Sequence, residues 1–388
     1  MFTHKVNMTN FIQHSPTALR SYMEQIGNLS ANELATKTDL KLSVIKKLLD
    51  SNERVITLSE LERIAQALFV PSVYLTTNEI KFTPEIPEIV DHRNFENIGN
   101  SDYGYNSVIR EAIQARKDYI YLLESMGNDP LPFTLRLSGE DAIADANLIS
   151  SYFDLNNKNK KAQHNDYYSS WRSILESLDI LVIERSSHES FGSDGFCLWF
   201  DTVPVIVILS TGQSPERRLF TLLHELVHLG LRQSVFDGFV SLLSNNNSTE
   251  RYCDSVAGHV IAPFEILEEL YDPSLSLDDL VLRVRSKVKA SRPAVAIQLK
   301  LAGYISQDEL KTYLRKLEDI KVSKRQSGEV KIPASTRIIS KFGKYFVQTV
   351  ISAMYQNNIS SAKAKSILGI RDTHKASTFK DVQKRVHM

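Results

Sequence analysis

Apolar residues recur along this chain at helical spacing far more often than at strand spacing, which predicts a mostly helical protein with one small sheet. Between Pro16 and Leu75 they form three short faces: Leu34 and Ala35; Leu40, Ile45 and Leu48; and Leu58, Leu61, Ile64, Ala65 and Leu68. Such short units joined by tight connections predict a bundle of small helices. Lys81–Asn100 is polar and punctuated by proline, the composition of a linker, and His92 and Arg93 within it read as ordinary solvated residues. Ser107–Met126 then reads as one long helix. Beyond Pro132, Gly139–Phe153 and Tyr167–Leu178 carry amphipathic helical patterns. Leu181–Glu184, Gly195–Phe200 and Val205–Leu209 are short β-branched and aromatic runs, the last two joined by a turn at Asp201–Pro204, and they predict strands.

The run from Ser214 to Arg232 differs from every other helix. Ser214 can cap its start, and Pro215 suits the first helical position, where no backbone donor is needed. Leu219, Phe220, Leu222, Leu223, Leu226, Val227, Leu229 and Leu231 make it apolar nearly all round, the signature of a buried helix. The polar exceptions, Arg217, Thr221, His224, Glu225, His228 and Arg232, share one arc at about 100° per residue. Two histidines four apart, with a glutamate beside the first, form the HExxH arrangement. Both imidazoles can reach one Zn²⁺, and Glu225 can act as base toward a water. The alternative is a core helix whose polar groups are satisfied by neighbours; burying two histidines and a glutamate without partners is costly, which favours the metal.

Zinc held by two histidines needs a third protein ligand. STERYCDSVAGHVIAP, after a loop containing Asn245–Asn247, reads as a helix beginning near Ser248 and ended by Pro263. Glu250 and Asp254 share one face of it. Glu250 is the expected third ligand, and Asp254, one turn on, is placed to accept the second N–H of a ligand histidine and so set its tautomer. Asp237 is the alternative ligand. His259, nine residues from Glu250, falls on the opposite side and is excluded. Cys253 reads as a small buried packing residue. An exposed edge strand, Gly195–Phe200 or its neighbour, is expected to pair with extended substrate.

A chain of 388 residues with 42% apolar and 24% charged residues is globular and of more than one domain. No apolar run approaches a membrane span, and only Cys197 and Cys253 are present, so the sequence predicts a cytoplasmic protein with no disulfide framework and no membrane partner. The formal net charge of zero conceals an asymmetry: from Ile320 to Met388 fourteen Lys/Arg face three acids. That basic tail is expected to meet an acidic surface, whether nucleic acid, a partner or the body of the chain itself.

LSANELATKTDLKLSVIKKLLD, followed by TLSELERIAQAL, resembles the XRE-type helix-turn-helix. On that likeness Ala31–Thr38 is the first helix and Leu42–Asp50 the recognition helix, and Ser43, Lys46 and Lys47 would face DNA. Asp39 occupies the turn position where glycine is usual, and residues 1–80 hold eight acids and eight bases, so the positive field of a DNA binder is missing. RRLFTLLHELVHLGL with ERYCDSVAGHVIAP resembles the ImmA/IrrE metallopeptidases, with Val227 where that family has glycine. The likeness runs from about Pro132 through VKASRPAVAIQLKLAGYIS, ending at Ser306. It implies an α+β, mostly helical architecture: a helix-turn-helix bundle over 1–80, a linker and connecting helix over 81–131, a zincin-like metallopeptidase domain with a small sheet over 132–310, and a basic helical tail over 311–388. It also implies a regulatory zinc endopeptidase that cleaves a helix-turn-helix repressor in mobile-element, stress or defence control. Tyr304, with Arg292 as an alternative, is the expected donor to the developing oxyanion. The competing reading is a non-catalytic DNA-binding regulator or antitoxin that uses the zincin domain as sensor or scaffold. Operator DNA, a toxin or defence partner and a second copy of the chain stay open as partners.

Overall fold

The computed structural model describes residues 11–26, 28–52, 56–78, 90–91, 103–153, 167–186, 193–233, 235–236, 248–288, 290–322, 332–370 and 374–387. The chain divides into two compact units, Met1–Pro87 with Asn94–Ala115, and Glu88–Arg93 with Arg116–Met388.

In the first unit β1 (Phe11–Ile12), α1 (Pro16–Gln25), α2 (Ala31–Thr38), α3 (Leu42–Asp50), β2 (Ile56–Thr57), α4 (Leu58–Leu68) and a 3₁₀ turn (Ser72–Leu75) follow in order. Helices α1, α2 and α4 start where a side chain, Ser15, Ser30 or Thr57, satisfies orphan N–H groups, whereas α3 starts at Lys41 with no side-chain cap. Ser30 with Glu33, and Thr57 with Glu60, form reciprocal capping boxes at α2 and α4. Asp39 ends α2 in the left-handed region at φ 54°. This is the conformation for which glycine is usual at that turn, and one that aspartate tolerates better than most residues. Leu34, Ile45, Leu48, Leu61, Ile64 and Leu68 meet in one core, each at most 2% exposed.

The boundary between the units falls within α5 (Tyr103–Ser125), which starts four residues earlier than the apolar pattern alone suggests. The second unit then runs α6 (Ala142–Tyr152), α7 (Tyr167–Glu176), β4 (Leu181–Arg185), β5 (Gly195–Leu198), β6 (Val205–Leu209), α8 (Pro215–Gly230), β7 (Val235–Phe236), α9 (Ser248–Ile261), α10 (Phe264–Leu270), α11 (Leu277–Val288), α12 (Arg292–Leu301), α13 (Gln307–Val322), α14 (Ala334–Phe342), α15 (Lys344–Tyr355), α16 (Ser361–Ile367) and α17 (Thr378–His387). The architecture is mostly helical around one small sheet of order β3-β7-β5-β6-β4, in which β3 is Val90–Asp91. Val205–Leu209 is buried at every residue, as the centre of such a sheet requires.

The sheet corrects one expectation. Gly195–Leu198 is not an edge: Cys197 pairs with Ile206 on one side and with Val235 on the other. The chain turns back directly after α8, and β7 covers the flank of β5 that an extended substrate was expected to use. Its neighbour β6 lies between β5 and β4 and is no edge either.

Three apolar faces converge to build the interior. α8 packs between the sheet and α9 in a cluster that includes Phe153, Trp171, Ile206, Leu222, Leu226 and Val256. Helices α10 to α13 form a second cluster through Leu267, Val281, Val284, Leu299 and Leu310. The division expected at 310 thus falls inside α13. Farther on, the basic tail docks on the body through backbone atoms. Arg172 of α7 donates to Ser340 O (2.6 Å) and Lys341 O (3.4 Å) at the end of α14, while Glu176 accepts from Tyr345 N (3.3 Å) at the start of α15. A positive group at a helix C-terminus and a negative one at an N-terminus both suit the helix dipole. Gly343, at φ 83°, forms the corner between them, and a Cβ there would sit 1.9 Å from Glu176 Oε1. No helix among the described residues is long and apolar enough to cross a membrane.

Candidate metal centre

Helix α8 is set by its own sequence. Ser214 Oγ accepts from Arg217 N at 3.3 Å, Pro215 fills the first turn, and the leucines bury the rod on all sides. His224, Glu225 and His228 are therefore carried into the interior by their neighbours, with exposures of 9%, 1% and 0%. Helix α9 crosses beside α8 and brings in Glu250, 3% exposed.

Two helices thus place three ligand atoms together. His224 Nε2 lies 3.1 Å from Glu250 Oε2 and 3.2 Å from His228 Nε2, and His228 Nε2 lies 3.4 Å from Glu250 Oε1. Among the described residues this is the group whose donor set and spacing could hold a metal ion. The other ring nitrogens decide how it would do so. His224 Nδ1 is 2.9 Å from Asp254 Oδ1, and His228 Nδ1 is 3.2 Å from Gln233 Oε1. Both partners are acceptors, so each Nδ1 carries the proton and each Nε2 turns a lone pair toward the centre. Zinc bound to nitrogen and oxygen at about 2.0–2.1 Å in a tetrahedron has ligand atoms roughly 3.3 Å apart, close to the spacing found here. Two imidazoles and a carboxylate, each tautomer held by an acceptor, fit such an ion.

Glu225 sits on the side of α8 that faces the sheet. A Cβ built on Gly195, the first residue of β5, would meet Glu225 Oε1 at 3.3 Å and Thr221 Cγ2 at 2.7 Å, so glycine is what lets strand and helix approach here. Val227, where the resembling family has glycine, is fully buried in the core cluster.

The remaining expected residues fall elsewhere. Asp237 lies outside the described residues. Tyr304 is half-buried and stacks on Tyr271 at 4.2 Å, against the cluster formed by α10 to α13. Arg292 begins α12. His259 packs edge-on against Phe264 at 4.4 Å, and burial holds its pKa below the usual value. Cys253 is buried with Sγ 3.6 Å from His228 Nδ1, on the side of the ring away from the ligand atom. Ser43, Lys46 and Lys47 share the exposed face of α3, opposite the buried Ile45 and Leu48.

Two contributors carried no sequence signal. Gln233 follows the end of α8 and returns to His228 only because the chain reverses there, its own N–H donating to His228 O at 2.9 Å. Gly195 is one glycine among fifteen until the sheet is folded.

No curated protein and no solved structure was found to match the chain. Residues 175–300, which contain β4 to β7 and both ligand helices, match the family model described as the IrrE N-terminal-like domain of the M78 peptidases, a match that supports the ImmA/IrrE family for this segment and a metallopeptidase activity in it.

Proposed function

We propose that the chain is a zinc-dependent endopeptidase of regulatory type whose substrate is a partner protein such as a helix-turn-helix repressor. The observation that carries this reading is the convergence of His224 Nε2, His228 Nε2 and Glu250 with both Nδ1 positions held by acceptors. A bound zinc ion would supply Lewis acidity, polarising a peptide carbonyl and making water a stronger nucleophile at neutral pH. Glu225, adjacent to His224 and buried, takes a proton from the attacking water as its oxygen bonds to the carbonyl carbon, and passes it to the leaving amine as the C–N bond breaks. Asp254 and Gln233 keep the imidazoles oriented throughout. The exposed face of α3 supports a second, compatible role in which Ser43, Lys46 and Lys47 contact operator DNA, so that the peptidase also acts as a regulator.

Glu225→Gln keeps the side-chain volume and removes the base. It is expected to retain one zinc per chain and to lose about 10²–10⁴-fold in the rate of cleaving a mixed-sequence fluorogenic peptide pool. Undiminished, chelator-sensitive cleavage by this variant would remove Glu225 from the mechanism.

A further inference from the structure

Behind the metal centre lies a second polar cluster built around a buried carboxylate. Asp145, on the first turn of α6, is 3% exposed. Its Oδ1 accepts from Ser138 N (3.0 Å) and Ser138 Oγ (3.2 Å), and its Oδ2 from Gly139 N (3.0 Å) and Tyr252 Oη (2.6 Å). A buried carboxylate stripped of water is tolerable only with such a set of donors.

Those donors come from two places that matter to the metal. Ser138 and Gly139 end a segment fastened to the C-terminal end of α8. Leu137 N donates to Gly230 O at 3.0 Å, and the Leu137 side chain occupies the space a Cβ on Gly230 would need, with Cγ 2.6 Å away. Tyr252 belongs to α9 and stands two residues from Glu250, about 200° around the helix, so it holds the face turned away from the imidazoles. One carboxylate therefore ties the end of the helix carrying His224 and His228 to the back of the helix carrying Glu250.

We propose that Asp145 and Tyr252 form a positioning latch for the metal centre: their hydrogen bond sets how far α9 advances Glu250 toward the two imidazoles. This inference rests on the metal-centre reading above. The effect on the metal passes through the seating of α9 against the end of α8, not through a contact with the ligand atoms. A purely structural role would lower stability and leave metal affinity as it was.

The test uses the full chain stripped of metal, with Asp145→Asn, Tyr252→Phe and the double variant. Zinc affinity is measured by competition with a chromogenic chelator, and tetrahedral coordination by the visible d–d band of added Co²⁺. Chemical unfolding in chelator reports apo stability. Each single variant is expected to bind zinc about tenfold more weakly, the range of a residue supporting a ligand, and to show a weakened cobalt band. The double variant should bind zinc no more weakly than the weaker single, because both substitutions act on metal affinity through the same Asp145–Tyr252 contact. Unchanged affinity and cobalt spectra in the singles, whatever their stability, would overturn the latch, as would fully additive losses. If Asp145→Asn does not fold, Tyr252→Phe, which removes one hydroxyl, decides by the same two readings. A wild-type chain that binds no zinc overturns the latch and the peptidase reading together, whereas wild-type binding with unaltered variants overturns the latch alone.

Discussion

Gly195→Ala is the smallest change that asks whether the sheet positions Glu225, the carboxylate proposed as general base. The added methyl would lie 2.7 Å from Thr221 Cγ2, 2.8 Å from Val207 O and 3.3 Å from Glu225 Oε1. Non-bonded carbons prefer roughly 3.5–4.0 Å, so the overlap with Thr221 approaches 1 Å. Val207 cannot yield, because its residue pairs with Phe196 in the ladder between β5 and β6. Helix α8 has to move instead, and Thr221 stands one turn before Glu225 on that helix. Overpacking of this size costs about 1–3 kcal/mol of stability. If Glu225 is the general base proposed above, its displacement forfeits part of the roughly 10²–10⁴-fold such a base contributes, and a tenfold fall in kcat corresponds to about 1.4 kcal/mol in the barrier. The expected result is a destabilised enzyme that still binds zinc and cleaves a fluorogenic peptide pool about tenfold more slowly, with KM little changed. Denaturant unfolding, metal content and steady-state kinetics measure the three quantities. Wild-type stability and kcat in Gly195→Ala would refute the argument that strand–helix spacing positions Glu225.

Two further outcomes follow from buried charge. Arg172→Met leaves Glu176 and Glu184, with side chains only 4% and 10% exposed, without the guanidinium that lies 2.6 and 2.7 Å from them, and leaves the end of α14 uncapped. Breaking a buried pair from one side costs about 3–5 kcal/mol, so urea unfolding should show a loss of that size, with hydrogen exchange rising first in α14 and α15; a loss below about 1 kcal/mol would count against the clamp. Asp145 provides a pH dependence. Burial alone would raise its pKa, but hydrogen bonds from Tyr252 and from the N–H groups of Ser138 and Gly139 outweigh it and hold the carboxyl below its usual range. Its contribution to stability is therefore present above the unfolded value near 3.8 and is lost as pH falls through the lower folded value. Acid titration of stability should steepen there in wild type and flatten in Asp145→Asn; identical acid limbs would contradict the assignment.

Much of this was legible because it is local. The spans of α2 and α3 follow the helix-turn-helix likeness to the residue, and for α2 the reason is local: Ser30 with Glu33 starts it and Asp39 ends it, each within one turn of the helix. Ser214 and Pro215 likewise announce α8, and its leucines announce burial. The i,i+4 spacing of His224 and His228, and that of Glu250 and Asp254, put each pair on one face before any fold is known. Substrate pairing along Gly195–Phe200 failed because an edge is defined by what does not pair with it, and β7 returns from a point that no periodicity marks.

What the sequence determined alone, then, is the helices, their caps, the buried character of α8, and which side chains each helix presents to a neighbour; all depend on residues within a turn or two of one another. Only the tertiary structure decided that Glu250 reaches both imidazoles, that Gln233 rather than a second carboxylate holds His228, that Asp145 fastens α9 from behind, and that the basic tail rests on Arg172 and Glu176. The physical reason is distance along the chain. A hydrogen bond spanning 107 residues, as between Tyr252 and Asp145, exists only where packing elsewhere has already brought its ends together.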